Sequence, residues 1–135
     1  MDTLSPSQRS ARMRLIQSAN TSPERVVRYF VHKLGYRYRL HRADLPGRPD
    51  IVFPGRRKVI FVHGCFWHRH NHCDLARLPK SRLEFWLPKL TSNKKRDAVK
   101  RGALTRMGWS SLVVWECELR DPVRVMFKTL MFLEG

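Results

Sequence analysis

The sequence predicts a single mixed α/β domain. A chain of 135 residues with 42% apolar content is enough for one hydrophobic core. Apolar spacing alternates along the chain between the helical period of about 3.6 and the strand period of about 2. No internal repeat and no Pro/Gly/Ser-rich linker divides it.

Taken in order, Leu4 to Gln17 set Arg9, Arg12 and Arg14 among Met13, Leu15 and Ile16. That composition suits a short helix or an arm that orders on a polyanion, and equally a solvated terminus. Thr21-Ser22-Pro23-Glu24 opens a helix. Thr21 stands in the capping position, Glu24 three residues on completes a capping box, and Pro23 suits the first turn. Val26, Val27, Phe30, Val31 and Leu34 keep helical spacing until Gly35. Tyr36 to Leu40 alternates as a half-buried strand, and Asp44 to Pro49 is a loop. Ile51 to Phe53 and Lys58 to Val62 read as a hairpin turned by Pro54-Gly55. Pro79 to Asn93 predicts a helix interrupted near Pro88. A basic helix follows to Met107, with Ala98, Val99, Ala103 and Leu104 facing inward and Gly108 ending it. Ser111 to Trp115 is an apolar strand, and the hydrophobic spacing of Val123, Phe127, Leu130 and Met131 predicts a last helix.

Charge narrows the function. Twenty-seven Lys and Arg against eleven Asp and Glu leave a formal +16, which calls for a polyanionic partner, nucleic acid first. No apolar run has the length of a membrane span, no polybasic block adjoins an apolar helix, and residues 1–20 lack a signal-peptide core. The expected protein is therefore intracellular and not membrane-bound.

The chemistry is concentrated between Phe61 and Cys73. Those thirteen residues hold four of six histidines, two of three cysteines and the Phe66-Trp67 pair. Cys65, His70 and Cys73 offer thiolate and imidazole ligands in one loop, and Cys117 offers a fourth from the end of the last strand. This set suits a closed, structural zinc site. His68, His70 and His72 are all within reach as the imidazole ligand, and buried free thiols are the plainer alternative.

Asp50, immediately before a strand and beside a second one, has the placement of a Mg²⁺-binding nuclease carboxylate. The following strand reads Phe61-Val62-His63, without the second acid and lysine such sites often carry. Asp50 is then either a turn residue or part of a site in which His63 and His68 do the proton transfer. Glu24 and Asp97 read by default as capping or surface carboxylates. Trp86 reads as core, and Phe66 and Trp67 as core or base-stacking rings.

Several of these segments together resemble the very-short-patch repair (Vsr) endonuclease family. They are Leu45-Pro46-Gly47-Arg48-Pro49-Asp50, Phe61 to His68, Glu84-Phe85-Trp86-Leu87, Arg96-Asp97 and Val114-Trp115-Glu116-Cys117. The resemblance implies a restriction-endonuclease-like fold, a central mixed sheet flanked by helices, with a structural zinc. It implies Mg²⁺-dependent, strand-specific nicking 5′ of the T in T·G mismatches left by deamination of 5-methylcytosine. Asp50 matches the family's Mg²⁺-binding aspartate, with the Val62 carbonyl as a further contact. His68 matches the residue that activates water, while His63, Glu24 and Asp97 match supporting catalytic positions. Cys65, His70, Cys73 and Cys117 match the zinc ligands. Phe66, Trp67 and Trp86 match an aromatic wedge entering the duplex, and Met13 a minor-groove contact in an arm over residues 1–20. Residues 21–135 then form the endonuclease domain. Implied too are a monomer, duplex DNA as partner, mismatch-repair accessory proteins, and a bacterial cytoplasmic, nucleoid-associated setting. A non-catalytic zinc-stabilised DNA-binding module, or a nuclease indifferent to mismatches, would share much of this sequence. Asp50 and His68 distinguish the enzyme from the binder.

Overall fold

The computed structural model describes residues 21–135. The N-terminal arm expected over residues 1–20, with Met13, lies outside the described residues. Helix α1 spans Ser22–Lys33 and buries Val27 and Val31, one turn apart. Its end is a Schellman motif. Gly35, at φ +89°, donates to the His32 carbonyl, and Tyr36 donates to that of Val31. The expected capping box is not formed: Thr21 makes no side-chain capping bond, and Glu24 is turned inward, only 2% exposed.

Strand β1 is Arg39–Leu40, shorter than the alternation of Tyr36 to Leu40 suggests. Tyr36 and Tyr38 do face inward, edge-on to Phe53 at 6.3 and 6.5 Å, but the ladder forms only at Arg39↔Val52 and Leu40↔Ile51. Strands β2 (Ile51–Phe53) and β3 (Lys58–His63) make the expected hairpin, with Ile51 opposite Ile60 and Phe53 opposite Lys58. A 3₁₀ turn at Pro54–Arg56 and a left-handed Arg57 reverse the chain. Strand β4 (Ser110–Trp115) lies parallel to β3, with Val62 beside Val114. The sheet order β1-β2-β3-β4 is therefore mixed.

Alternation along β2 and β3 divides the core. Ile51, Phe53, Ile60 and Val62 pack under α1 and the last helix with Val27, Val31, Val125 and Leu133. Val52, Val59 and Phe61 pack on the opposite face with Leu45, Leu104 and Trp109. Both faces of the central strands are covered, which is why Val59 to Val62 is an unbroken apolar run.

Two helical expectations are corrected. Residues Leu83–Arg106 form one helix, α2, of 24 residues rather than two. Pro88 is its sixth residue and removes only the bond to the Glu84 carbonyl, a loss that packing of the buried Leu90 and Leu104 offsets. The inward face is also different. Ala98 is exposed and Val99 is 64% exposed. Asn93, Asp97 and Arg101, four residues apart, lie on the side of Leu90 and Leu104 and are half-buried. In the last helix, α3 (Pro122–Glu134), the buried residues are Val125, Thr129 and Leu133. Val123, Phe127 and Met131 form an exposed stripe, and Leu130 is half-buried. Apolar residues on both sides of α3 left its inner face undecided by period alone. Lys58 Nζ donates to the carbonyls of Phe132 and Gly135, both at 2.7 Å, and neutralises the helix C-terminus. No helix among the described residues is long and apolar enough to cross a membrane.

Candidate active site and metal centre

Antiparallel pairing of β2 with β3 places the residue before β2 beside the end of β3. The Val62 N–H donates to Asp50 Oδ2 at 2.7 Å and fixes that carboxylate at the sheet end. Burial pushes Asp50 up to about 7, and the neighbouring Glu24 carboxylate adds to the rise through charge and a hydrogen bond, against the opposing Val62 N–H. Glu24 is held in turn by His41 Nε2 at 2.8 Å and by Arg28 at 3.6 Å. One donor atom from each of Glu24, His41 and Asp50 lies within 4.8 Å of the others, room for a single cation.

The sequence reading missed His41. Its N–H donates to the Asp50 carbonyl at 3.2 Å, continuing the β1–β2 pairing. The available signal was positional: once β1 pairs with β2, the residue after Leu40 falls beside Asp50. Glu24 was hidden by the capping-box pattern, although three residues into a helix is also where a side chain can turn back over the sheet.

A second cluster stands at the same sheet end. His63, the last residue of β3, is buried, and its ring stacks on His68 with centroids 3.9 Å apart and planes 5° off parallel. Burial, then the neighbouring His68, push His63 down to about 3, so its ring is neutral at physiological pH. His68 Nδ1 and Asp97 Oδ2 are 2.5 Å apart. With Nδ1 engaged by the carboxylate, Nε2 carries the free lone pair. Asp97 is thus a partner of His68, not the surface charge its basic surroundings suggest.

The third cluster joins the central loop to the end of β4. His70 Nδ1 lies 3.6 Å from Cys65 Sγ and 3.4 Å from Cys117 Sγ, and Cys73 completes a set whose donor atoms are all within 4.8 Å. The His70 ring stacks on Trp115 at 4.1 Å, which sets its orientation. Of the three candidate histidines, His70 is the one in this set, His68 belongs to the Asp97 pair, and His72 is exposed at φ +56°. Burial pushes the Cys65 thiol up to about 12, so a cation binding here must displace a proton.

Phe66 and Trp67, in the turn after Cys65, meet Trp86 of α2. Trp86 is 5.5 Å from Phe66 and 5.8 Å from Trp67, each edge to face. All three are half-buried, so Trp86 is not a core residue. Phe66 and Trp67 share with Glu24, Asp50, His63, His68 and Asp97 a cleft of about 660 Å³, and Trp86 adjoins it through its contacts with both rings. Arg48, Lys89, Arg96, Lys100 and Arg101 also line it, giving the wall a strongly cationic character.

Carboxylates gathered beside imidazoles in a basic cleft can bind a divalent cation, hold a phosphate and move protons. A solved structure of similar architecture is the catalytic domain of the homing endonuclease I-Bth0305I, with a TM-score of 0.58 over 84% of this chain and 94% of that one, at 19% identity. Fold, site and relatives together define a DNA endonuclease of restriction-endonuclease-like fold. Residues 1–75 match the family profile of DNA mismatch endonuclease Vsr. A type II nicking enzyme of Xanthomonas oryzae pv. oryzae is 57% identical, covering 89% of this chain and 88% of its own. DNA mismatch endonuclease Vsr of Escherichia coli is 44% identical, over 90% and 78% respectively. The chain belongs to the Vsr DNA mismatch endonuclease family.

Proposed function

We propose that this protein nicks one strand of duplex DNA on the 5′ side of the T in a T·G mismatch, with Mg²⁺ as catalytic cofactor. Such mismatches arise when 5-methylcytosine is deaminated, and the nick starts very-short-patch repair. The observation that carries the reading is the convergence of two carboxylate–imidazole clusters and the Phe66–Trp67–Trp86 aromatic group around one basic cleft.

Asp50, with the Val62 main-chain carbonyl, holds the cation. Glu24, in hydrogen-bond contact with Asp50, supports it. Bound there, Mg²⁺ supplies charge neutralisation at the phosphate and lowers the pKa of water. His68 takes the proton of the attacking water at Nε2, while Asp97 fixes its ring through Nδ1. His63, neutral and stacked on His68, keeps that ring in plane. Phe66, Trp67 and Trp86 wedge into the duplex. Unstacking costs a few kcal/mol per step and less at a weakened pair, so deformability favours the mismatch. Residues 1–20, with Met13, act as a DNA-contacting arm, and 21–135 as the endonuclease domain.

The thiolate site suits zinc. A tetrahedron with Zn–S of about 2.3 Å and Zn–N of about 2.0–2.1 Å has an N···S edge of roughly 3.5 Å. The two edges measured at His70, 3.6 and 3.4 Å, bracket that value. With four protein ligands the ion is structural, tying the loop after β3 to the end of β4. The reading further makes the protein a monomer in the bacterial cytoplasm, associated with the nucleoid and assisted by mismatch-repair proteins.

The test is cleavage of an end-labelled duplex carrying one T·G mismatch, beside matched duplex, with Mg²⁺ or none, and with Asp50→Ala. A single nick 5′ of the T, requiring Mg²⁺ and Asp50, is expected. Equal cutting of matched duplex, or tight binding without a nick across several flanking contexts, would overturn the reading.

A further inference from the structure

The polar inner side of α2 ends in a cation, Arg101, that has no paired anion among the described residues. Arg101 follows Asp97 by one helical turn and lines the same cleft as Asp50, His63 and His68. Its Nε is withdrawn from solvent and has no hydrogen-bond partner. Among the described residues it makes no ion pair, because Asp97 is committed to His68. The remaining cations of the cleft differ. Lys89 lies over the rings of Trp67 and Phe85, Arg96 donates to Asn93 Oδ1, and Arg48 and Lys100 are exposed to water. The Arg101 charge reaches His63, where it adds to burial and to His68 in keeping that ring neutral.

A guanidinium partly removed from water without a counter-charge is unfavourable, and a phosphodiester supplies both the charge and a pair of oxygens matching its fork. We infer that Arg101 binds the non-bridging oxygens of the phosphodiester being cleaved and stabilises their charge in the transition state. The inference rests on the assignment of this cleft as the reaction site. Water adds to phosphorus as the bond to the leaving sugar oxygen breaks. The proton lost by water to His68 is balanced by one gained at the leaving oxygen, and Arg101 keeps its proton throughout. Its placement beside the His63–His68 pair, rather than at the exposed rim with Arg48 and Lys100, assigns it to the reacting phosphate and not a flanking one.

The test compares wild type with Arg101→Met, which keeps the aliphatic stem, and Arg101→Lys, which keeps the charge. Single-turnover nicking at saturating enzyme is measured on the T·G duplex, with relaxation of supercoiled plasmid as a substrate needing no mismatch. Duplex affinity without Mg²⁺ and melting temperature are followed in parallel. Arg101→Met is expected to slow cleavage by about 100-fold or more, the scale of losing a preorganised transition-state donor, with affinity within about threefold. Arg101→Lys, lacking the fork, should lose roughly tenfold and serves where Met impairs folding. Added guanidinium should restore part of the rate to Arg101→Ala. Wild-type rates in both variants, or a loss confined to affinity, would overturn the assignment. Cleavage surviving in Asp50→Ala would instead show that the reaction lies elsewhere, a separate failure.

Discussion

Asp50→Asn should abolish cleavage and at the same time stabilise the Mg²⁺-free protein. Burial, with Glu24 beside it, raises Asp50 from 3.8 to about 7. At about 1.36 kcal/mol per pH unit, that difference sets an upper bound near 4 kcal/mol on the cost of holding Asp50 ionised in the empty site. Because Glu24 and Asp50 interact, and because an asparagine oxygen can still accept the Val62 N–H, roughly 2 kcal/mol is the gain expected from the substitution. The sign follows from the linkage. A carboxyl whose folded pKa lies above its unfolded one gives its full stabilisation below pH 3.8 and loses it as pH rises through about 7. Asp50→Asn should therefore match wild type near pH 4 and exceed it at pH 8, by roughly 6–10 °C in melting temperature. The assay is thermal or urea unfolding across that range, in Mg²⁺-free buffer without chelator so that the thiolate site keeps its ion. Added Mg²⁺ should close the gap by stabilising wild type alone. An Asp50→Asn protein no more stable at pH 8 than wild type would refute the claim that the site is electrostatically strained when empty.

Other outcomes follow from the same geometry. Cys117→Ala should reduce bound zinc from one per chain to near zero, measured by elemental analysis, and cost several kcal/mol in unfolding, since it frees the loop after β3 from the end of β4. Asp97→Asn should leave duplex affinity unchanged and slow single-turnover cleavage by about 10²–10⁴-fold, because the carboxylate that holds the His68 tautomer is lost. Leu104→Ala, in the fully buried layer with Trp109, should lower stability by about 2–5 kcal/mol. Phe127→Ser on exposed α3 should stay within about 0.5 kcal/mol, and both are read from urea midpoints.

How much of this the sequence carried depended on whether one period had one meaning. The β-branched runs of β2 and β3 are buried on both faces, and β4 carries a compact Leu-Val-Val-Trp run, half-buried apart from the buried Val114, so length and composition located all three. The Cys/His set was legible because few folds gather such residues for packing alone. Glu24 and Asp97 were not, since a carboxylate in a first turn or a basic helix has an ordinary surface explanation. Only tertiary pairing, with His41 in one case and His68 in the other, sets that explanation aside. Helix α2 misled for a related reason. Its inner side is lined by Asn93, Asp97 and Arg101, which a pattern search assigns to solvent, so the apolar Ala98 and Val99 were drawn inward in their place. Family resemblance, unlike periodicity, had pointed to both carboxylates.

The absence of a break at Pro88 gives α2 a second significance. Trp86 and Asp97 stand eleven residues apart on one continuous rod, a span of about 16 Å at 1.5 Å per residue. In the proposed reaction, the ring that tests the base stack and the carboxylate that steadies the base are the two marks of a fixed ruler. A duplex that yields to the ring brings its backbone to a set distance from His68, and one that resists holds it away. Sensing and cutting then require no relay between moving parts. Inserting a single residue between Trp86 and Asp97 would turn one mark about 100° against the other, and would uncouple them even with every side chain in place.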